Sequence, residues 1–456
     1  MVQTFNFGYI SIHLWEWAAL PIYVMAILLM AYYYQKRKRE TNPLYRYYMW
    51  GLIAKVGGSI FFALIYFYYY AGGDTFGYYE SALAMRNLLI ESPLGWLRNE
   101  FQGASPENLA FFNSETGSPL AYMYNDPRTF MVIRIMSILV IPAYNSYLLA
   151  SIIIAWVCYT GIWKMYLVFT AVYPKLEKQF AIAILFFPSV LFWGSGILKD
   201  TITLSCTGWV IYCIYRVFIL KKHRLFNTVV MLLNIYLILV IKPYIIFALL
   251  PGGLMWIFSE RIYRIKNFIV KLLVIPFIVV SCATSGYFIL SQLGSYLGKF
   301  SLEKVTKTAL VTQNDLKQSY YQGHSFDIGL IDQTPSGFAK KAPEALLAGV
   351  YRPFLWESGN IVMLLSGLEN TFILLLTLLM LLRNNLFSIP RRLFSEPLLF
   401  FSLTYSVFFA IAVGITTSNF GALVRFKIAY LPLLMAALFI LIKKRTREET
   451  ASLSAD

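Results

Sequence analysis

The stretch YFYYYAGGDTFGYYESA, residues 66–82, follows a long run of mostly apolar residues that begins near residue 48. A membrane-spanning helix needs roughly 17–25 such residues, so the run is long enough to cross a bilayer. Asp74 follows two glycines at the end of the run and is flanked by tyrosines. Because Tyr and Trp favour the boundary between bilayer and water, the stretch predicts the end of a span and the start of a polar segment.

The composition of the whole chain agrees with this interpretation. Of 456 residues, 58% are hydrophobic and only 14% are charged, and the mean hydropathy is +0.61. A soluble protein carries roughly 25% charged residues. The sequence therefore predicts an all-α integral membrane protein, with the chain 1–456 forming a single polytopic membrane domain.

The net charge of +16 is concentrated in short basic clusters next to apolar runs. These clusters are residues 35–40, 221–224, 259–266, 383–392 and 443–449. This placement is typical of cytoplasmic loops under the positive-inside rule and argues against a nucleic-acid partner. It predicts an N-terminus outside, a C-terminus in the cytoplasm and a cytoplasmic tail over 443–456.

Eleven spans fit this orientation, within a range of about 10–13. The predicted spans are 15–34, 48–70, 146–168, 179–197, 201–220, 226–241, 244–258, 268–292, 360–382, 395–415 and 426–442. The segment 129–143 is short and contains Arg134, so it is predicted to be an interfacial or re-entrant helix.

Two long polar regions fall on the extracytoplasmic side in this topology. The first, 71–145, begins with Asp74 and continues with Leu and Trp at helical spacing, which predicts helices lying on the membrane surface. The second is 293–359. Large loops that open on one side suggest that the function is carried out there.

Asp74 has two interpretations. Asp after Gly-Gly is a good turn former and helix N-cap, which would make it structural. Alternatively, it is a catalytic base, because ionisable groups at span ends are functional candidates. The second interpretation depends on other charges at the same membrane depth.

Several charged residues do lie at predicted external span ends. The candidates for phosphate binding are Lys199, Asp200, Lys242, Arg352 and Arg425. The candidates for supporting roles are Glu80, Tyr78, Trp193 and Glu357. Cations neutralise a phosphate leaving group, and a carboxylate takes the proton from an attacking hydroxyl. An ion pair between Arg352 and Glu357 is the alternative explanation for those two.

The layout resembles the GT-C superfamily of membrane glycosyltransferases. The resemblance is carried by GGDTFGYY (72–79) in the first external loop and by ALVRFKIAYLPLL (422–434) before the last span. It implies a bundle with surface-lying helices and a polyprenyl-phosphate or polyprenyl-diphosphate sugar as donor. A glycan, lipid or protein is the implied acceptor, and Asp74 is the implied base. It further implies a place in the inner (plasma) membrane of a bacterium, in cell-surface polysaccharide biosynthesis, with membrane lipids and other envelope-glycan assembly proteins as partners.

Two departures from the family pattern concern the same region. An extra span precedes the loop that carries Asp74, and Thr75 stands where a second acidic residue is usual. GGDTFGYY also resembles the external motif of EpsG/Wzy-like polysaccharide polymerases. A polymerase or ligase is therefore the first alternative function, and a transporter or non-catalytic assembly protein is the second. Convergence of Asp74 with the cations in one outward-facing cavity would favour an enzyme.

The sequence identifies no cofactor. The four cysteines Cys158, Cys206, Cys213 and Cys282 lie within apolar runs, and none has a histidine at metal-ligand spacing. A divalent cation is compatible with the proposed chemistry, but no clear set of ligands for one is present.

Overall fold

The computed structural model describes residues 4–7, 10–263, 273, 326, 329, 335–385 and 388–443. Most of these residues are helical. Within these ranges, seven helices are long and apolar enough to cross a membrane, and one bent helix pair brings the number to eight. The seven are Leu14–Arg39, Pro43–Tyr70, Tyr147–Val172, Lys199–Ile219, Arg224–Ile241, Ile361–Arg383 and Pro397–Thr416. The protein is an all-α, multi-pass membrane protein, as predicted.

Within the described residues, the structure does not show all of the eleven predicted spans as spanning helices. The predicted span 179–197 is broken into a helix Glu177–Phe180, a π-helical segment Ala181–Leu185 and a helix Pro188–Trp193. Proline lacks an N–H donor and its ring clashes with the preceding turn, which explains the break before Pro188. The predicted span 268–292 lies outside the described residues, apart from residue 273.

Two further predicted spans take a different form. Tyr244–Ile257 is a helix of only 14 residues, short for crossing a bilayer on its own. The last predicted span is a pair of helices, Phe420–Lys427 and Leu431–Ile442, that meet at 64°. Pro432 stands in the first turn of the second helix, where proline is tolerated.

The chain divides into two compact units. The first comprises Met1–Ala171 and Ile184–Tyr244, and the second comprises Val172–Ala183 and Ile245–Asp456. The prediction of one polytopic domain over 1–456 stays a prediction.

A β-hairpin opens the first unit. Strands β1 (Thr4–Phe7) and β2 (Ile10–His13) pair antiparallel, and helix α1 (Leu14–Arg39) follows directly. The buried carboxylate of Glu16 accepts hydrogen bonds from the Ser146 hydroxyl (2.5 Å) and the His13 amide (2.9 Å). Glu16 therefore joins the start of α1 to the turn before Tyr147.

The remaining helices of the first unit alternate between long apolar segments and short ones. They are α2 (Tyr48–Ile65), α3 (Asp74–Glu91), α4 (Pro93–Phe101), α5 (Pro106–Leu109), α6 (Ala121–Tyr124), α7 (Pro127–Leu139), α8 (Tyr147–Val172), α10 (Pro188–Trp193), α11 (Lys199–Ile214) and α12 (Arg224–Ile241). Helix α9 is Glu177–Phe180 and belongs to the second unit.

The polar region 71–145 folds into the five helices α3 to α7, in agreement with the helical spacing seen in the sequence. Helix α7 has 13 residues and is not among the candidate spans. Asn99 is buried on α4 and donates to the carbonyl of Gly95 within its own helix (3.0 Å) and to the carbonyl of Asn108 on α5 (2.9 Å). The second bond joins two helices that are too short to be stable alone.

Contacts along the long helices fix their directions. The Tyr159 hydroxyl donates to the Tyr48 carbonyl (2.8 Å), and the Ser59 hydroxyl donates to the Ser151 carbonyl (2.7 Å), so α2 and α8 are antiparallel. Helices α8 and α11 cross closely at Gly161, where a Cβ would lie 2.0 Å from a backbone oxygen of α11.

The helices of the second unit follow in chain order. They are α13 (Tyr244–Ile257), α14 (Ser259–Tyr263), α15 (Pro335–Tyr351), α16 (Ile361–Arg383), α17 (Ser388–Ser395), α18 (Pro397–Thr416), α19 (Phe420–Lys427) and α20 (Leu431–Ile442). Small residues bring α15 and α18 together: a Cβ on Gly349 or Gly414 would clash with the backbone of the partner helix at 2.2 and 2.0 Å. Such close approach is typical of helix packing in membranes.

Candidate functional site

The quoted stretch forms a turn between α2 and α3. Tyr66–Tyr70 continue α2 as a π-helical segment, Ala71 is left-handed with φ 49°, and Gly73 has φ 96°. A Cβ on Gly73 would lie 2.9 Å from the Tyr66 ring. Both the backbone conformation and the close approach therefore require glycine at position 73.

Asp74 is the first residue of α3, and its side chain is exposed. Gly73, rather than Asp74, occupies the N-cap position, so Asp74 does not have the capping role that one interpretation gave it. A carboxylate in the first turn still interacts favourably with the helix dipole, by about 0.3–1 kcal/mol. Exposure also leaves it accessible to a substrate.

Aromatic side chains pack beneath this turn. The Tyr66 ring stacks on Phe62 with centroids 4.4 Å apart, and it contacts Tyr70 at 5.0 Å and Trp193 at 6.3 Å. Trp193 is only 6% exposed and Tyr78 only 2%. In this conformation these two candidates contribute to packing and leave little ring surface for a sugar.

Glu80 lies on the same helix as Asp74, six residues later. Side chains that meet on a helix are three or four residues apart, so the spacing does not bring Glu80 to Asp74. Burial raises the pKa of the half-buried Glu80 carboxyl.

A polar cluster lies where α7 and α11 begin. The Lys199 ammonium donates to the Thr129 hydroxyl (2.7 Å) and to the Asp126 carboxylate (3.3 Å), and Thr129 donates to the same Asp126 oxygen (2.5 Å). Burial opposes ionisation of Asp126, but the Thr129 hydrogen bond and the Lys199 charge outweigh it, and the pKa of Asp126 lies below its ordinary value. Arg128 interacts electrostatically with the same carboxylate.

Lys242 and Asp200 form a second, more buried pair. Their side chains are 10% and 2% exposed, and the ammonium lies 2.5 Å from the carboxylate. The pair joins the first turn of α11 to the residue that ends α12. The sequence placed both residues among the phosphate-binding candidates, but this burial favours a role in holding the two helices together.

The contacts place these groups at one end of the first unit. The Thr75 and Tyr147 hydroxyls lie 3.1 Å apart, so α3 and α8 start side by side. Cys158 lies beside Ser205 and Lys164 lies 4.5 Å from the centre of the Tyr212 ring, so α8 and α11 run parallel and the start of α11 lies toward the same end. Asp74, Lys199, Asp200 and Lys242 therefore lie toward the same end of this unit, and their convergence in one cavity stays a prediction.

Arg352 and Glu357 belong to the second unit and form an ion pair. The guanidinium Nε lies 2.9 Å from the Glu357 carboxylate, and a second bond from Arg352 makes the contact bidentate. Burial opposes ionisation of Glu357, but the Arg352 bond outweighs it and lowers the pKa of Glu357. The Arg352 guanidinium also covers the rings of Phe326 (4.8 Å) and Phe420 (5.5 Å). This is the ion pair that the sequence offered as the alternative to phosphate binding.

Arg425 lies on the short helix α19 and is half-buried. Its neighbour Lys427 is buried and donates to the carbonyl of Val350 (2.9 Å), the carbonyl of Arg352 (2.5 Å) and the amide oxygen of Asn370 (3.0 Å). Lys427 therefore satisfies carbonyls at the end of α15. Arg352, Glu357 and Arg425 are in the other unit from Asp74, so their convergence with it stays a prediction.

The sequence reasoning missed four residues that the fold brings into play. Asp126, Arg128 and Thr129 belong to the motif NDPRT (125–129), whose Asp-Pro pair before an apolar helix was an available signal. Lys55 lies buried within α2 and donates to the Gly194 carbonyl. An ionisable residue within a span was the corresponding signal.

Within the described ranges, no group of three or more His, Cys, Asp and Glu side chains could hold a metal ion. Cys158, Cys206 and Cys213 are buried free thiols, and Cys282 lies outside the described residues. Comparison of the chain with family models, curated proteins and solved structures finds no match. The resemblance to GT-C glycosyltransferases stays a prediction.

Proposed function

We propose that the protein is a membrane glycosyltransferase that uses a polyprenyl-phosphate or polyprenyl-diphosphate sugar. Its acceptor is a glycan, lipid or protein on the extracytoplasmic face of a bacterial inner membrane. The observation that carries the proposal is that an exposed carboxylate and a polar cluster lie toward the same end of the first unit. The carboxylate is Asp74, and the cluster is formed by Lys199, Thr129 and Asp126. A lipid-linked phosphate would reach such an end from the bilayer.

The phosphate-binding role falls to Lys199 and Arg128. The Lys199 and Asp126 side chains are 19% and 32% exposed, so solvent or a substrate reaches this pair. A donor phosphate can take the place of Asp126 on the ammonium, since both are anionic oxygen acceptors. Arg128 adds a guanidinium, which suits bidentate contact with phosphate.

The chemistry follows from these positions. The acceptor hydroxyl attacks the anomeric carbon and forms the new glycosidic bond, and the bond from that carbon to the donor phosphate oxygen breaks. The electron pair of the broken bond stays on the phosphate, where Lys199 and Arg128 stabilise its charge. Asp74 takes the acceptor's proton as a general base, and the attack inverts the configuration.

The charged groups of the second unit have separate roles in this proposal. Arg352 is committed to Glu357 by the bidentate pair, so it is not needed at the phosphate. A phosphate-binding role for Arg425 stays a prediction.

A deletion strain complemented with variants tests the proposal. We expect the strain to lack one sugar of a surface glycan and to accumulate the corresponding lipid-linked sugar. The wild-type gene restores the glycan, whereas D74N does not, although it is made in equal amount. Accumulation of complete but unpolymerised repeat units would instead indicate a polymerase. A surface glycan that is unchanged in the deletion strain and in the strain carrying D74N would contradict the proposal.

A further inference from the structure

A second site lies at the other end of the first unit, in a groove bordered by α1, α2, α8 and α11. The groove has a volume of about 510 Å³, which is within the range of small-molecule sites, about 300–1,000 Å³. Its walls are mainly aromatic and include a single charged side chain. The residues that define this aromatic groove are Tyr34, Tyr48, Trp156, Trp163, Lys164 and Trp209.

Lys164 is held by the aromatic walls. Its ammonium lies 5.1 Å from the centre of the Trp209 ring and 4.5 Å from the centre of the Tyr212 ring. The Trp209 indole N–H donates to the Thr160 hydroxyl at 3.1 Å, which fixes the ring on which Lys164 rests. The position of the charge is therefore defined by packing.

Positive charge around the groove is not neutralised by carboxylates of the described chain. Arg216 and Lys38 both interact electrostatically with Lys164. Within the described ranges, none of these three cations forms an ion pair with Asp or Glu, and the buried Nε of Arg216 has no acceptor. A groove with Lys164 in its aromatic wall, and with Arg216 and Lys38 close enough to interact with that lysine, is complementary to an anion that carries an apolar part.

The open side of the groove faces outward from spanning helices. Met30 on α1 and Val157 on α8 line this side and are 49% and 45% exposed. In a membrane, such apolar side chains contact lipid. An occupant can therefore enter from the bilayer.

We propose that the aromatic groove binds an anionic phospholipid. The phosphate lies against Lys164 and Arg216, and an acyl chain lies along the tryptophans. This end carries the basic cluster 35–40, which the positive-inside rule assigns to the cytoplasm, where anionic lipids are concentrated. The site is independent of the proposed transferase chemistry, because Lys164 follows Tyr147 on α8 by almost five helical turns, about 25 Å along the helix.

Native mass spectrometry tests this proposal. The full chain is purified in mild detergent and incubated with phosphatidylglycerol and phosphatidylcholine of matched acyl chains. We expect wild type to retain phosphatidylglycerol selectively and K164Q/R216Q to lose the preference, by roughly fivefold for each cation removed. K222Q is the matched control, because Lys222 is an exposed cation of the same unit and is not among the charges that act on Lys164.

A second variant separates a lipid site from general surface charge. V157W keeps every cation but fills the groove, and we expect it to lower phosphatidylglycerol occupancy with an unchanged elution profile in size exclusion. Equal lipid retention by V157W and wild type would overturn the proposal, and so would an equal loss in K222Q and K164Q/R216Q. Dissociation of a dimer by V157W, without a change in bound lipid, would identify a second copy as the occupant and would also overturn it.

Discussion

Replacing Asp200 with Leu should destabilise the protein strongly, because it leaves the Lys242 ammonium buried without its carboxylate. The two side chains are 2% and 10% exposed, so solvent screens the charge weakly. Breaking one side of a buried pair costs about 3–5 kcal/mol. Loss of a favourable acidic residue from the first turn of α11 accounts for only about 0.3–1 kcal/mol, so the loss of the carboxylate beside Lys242 is the larger effect.

The double variant D200L/K242M provides the matched control. Replacing both members of a buried pair by apolar residues is often neutral or stabilising, so this variant should recover most of the stability lost in D200L. Apparent melting temperatures in detergent, followed by fluorescence size exclusion, measure the difference. A melting temperature of D200L equal to that of wild type would refute the reasoning, as would a double variant no more stable than D200L.

The same pair distinguishes a structural role from phosphate binding. If Lys242 only joins α11 to α12, the double variant should keep most of its transfer activity once stability has returned. Recovered stability together with lost activity would assign Lys242 to the donor phosphate instead.

Three further predictions concern the site and its supports. K199Q should lower the rate of sugar transfer by about 10- to 100-fold, since a hydrogen bond to a charged group contributes about 1.5–3 kcal/mol. Its melting temperature should change little, because the pair with Asp126 is partly exposed. A loss of stability as large as the loss of activity would contradict this prediction. G73A should destabilise the protein by about 1–3 kcal/mol. A φ of 96° is strained for alanine, and its Cβ would lie 2.9 Å from the Tyr66 ring. If G73A melted at the same temperature as wild type, this geometry would be wrong. Burial raises the pKa of Glu100 from 4.5 to about 6, so the folded state binds this proton more tightly than the unfolded state does. The stability that the protonated carboxyl contributes is full below about pH 4.5 and is lost as the pH rises through about 6. E100Q should therefore raise the melting temperature at pH 8 but not at pH 4.5, and an equal effect at both pH values would contradict this prediction.

The spans were predictable where one apolar run makes one helix. Periodicity and length suffice for α1, α8 and α12, because the bilayer requires a fixed length of apolar helix. They fail at 179–197, where composition is that of a span but Pro188 interrupts the helix. Hydropathy measures which residues tolerate lipid and does not measure whether the backbone is continuous.

Three of the charged residues at this end of the first unit were predictable from the sequence, but their pairings were not. Lys199, Asp200 and Lys242 stood out as ionisable residues at span ends. Lys242 pairs with Asp200, 42 residues away, and Lys199 pairs with Asp126, 73 residues away. Both pairings depend on how α7, α11 and α12 pack. The pairing of Asp200 with Lys242 could therefore come only from the fold.

The most direct test of the central claim is sugar transfer by membranes that contain wild type or D74N, supplied with a labelled lipid-linked sugar and its acceptor. We expect that D74N releases no polyprenyl phosphate or diphosphate above background but still binds the donor, because Lys199 and Arg128 are intact. Transfer by D74N at the wild-type rate would show that Asp74 is not the base.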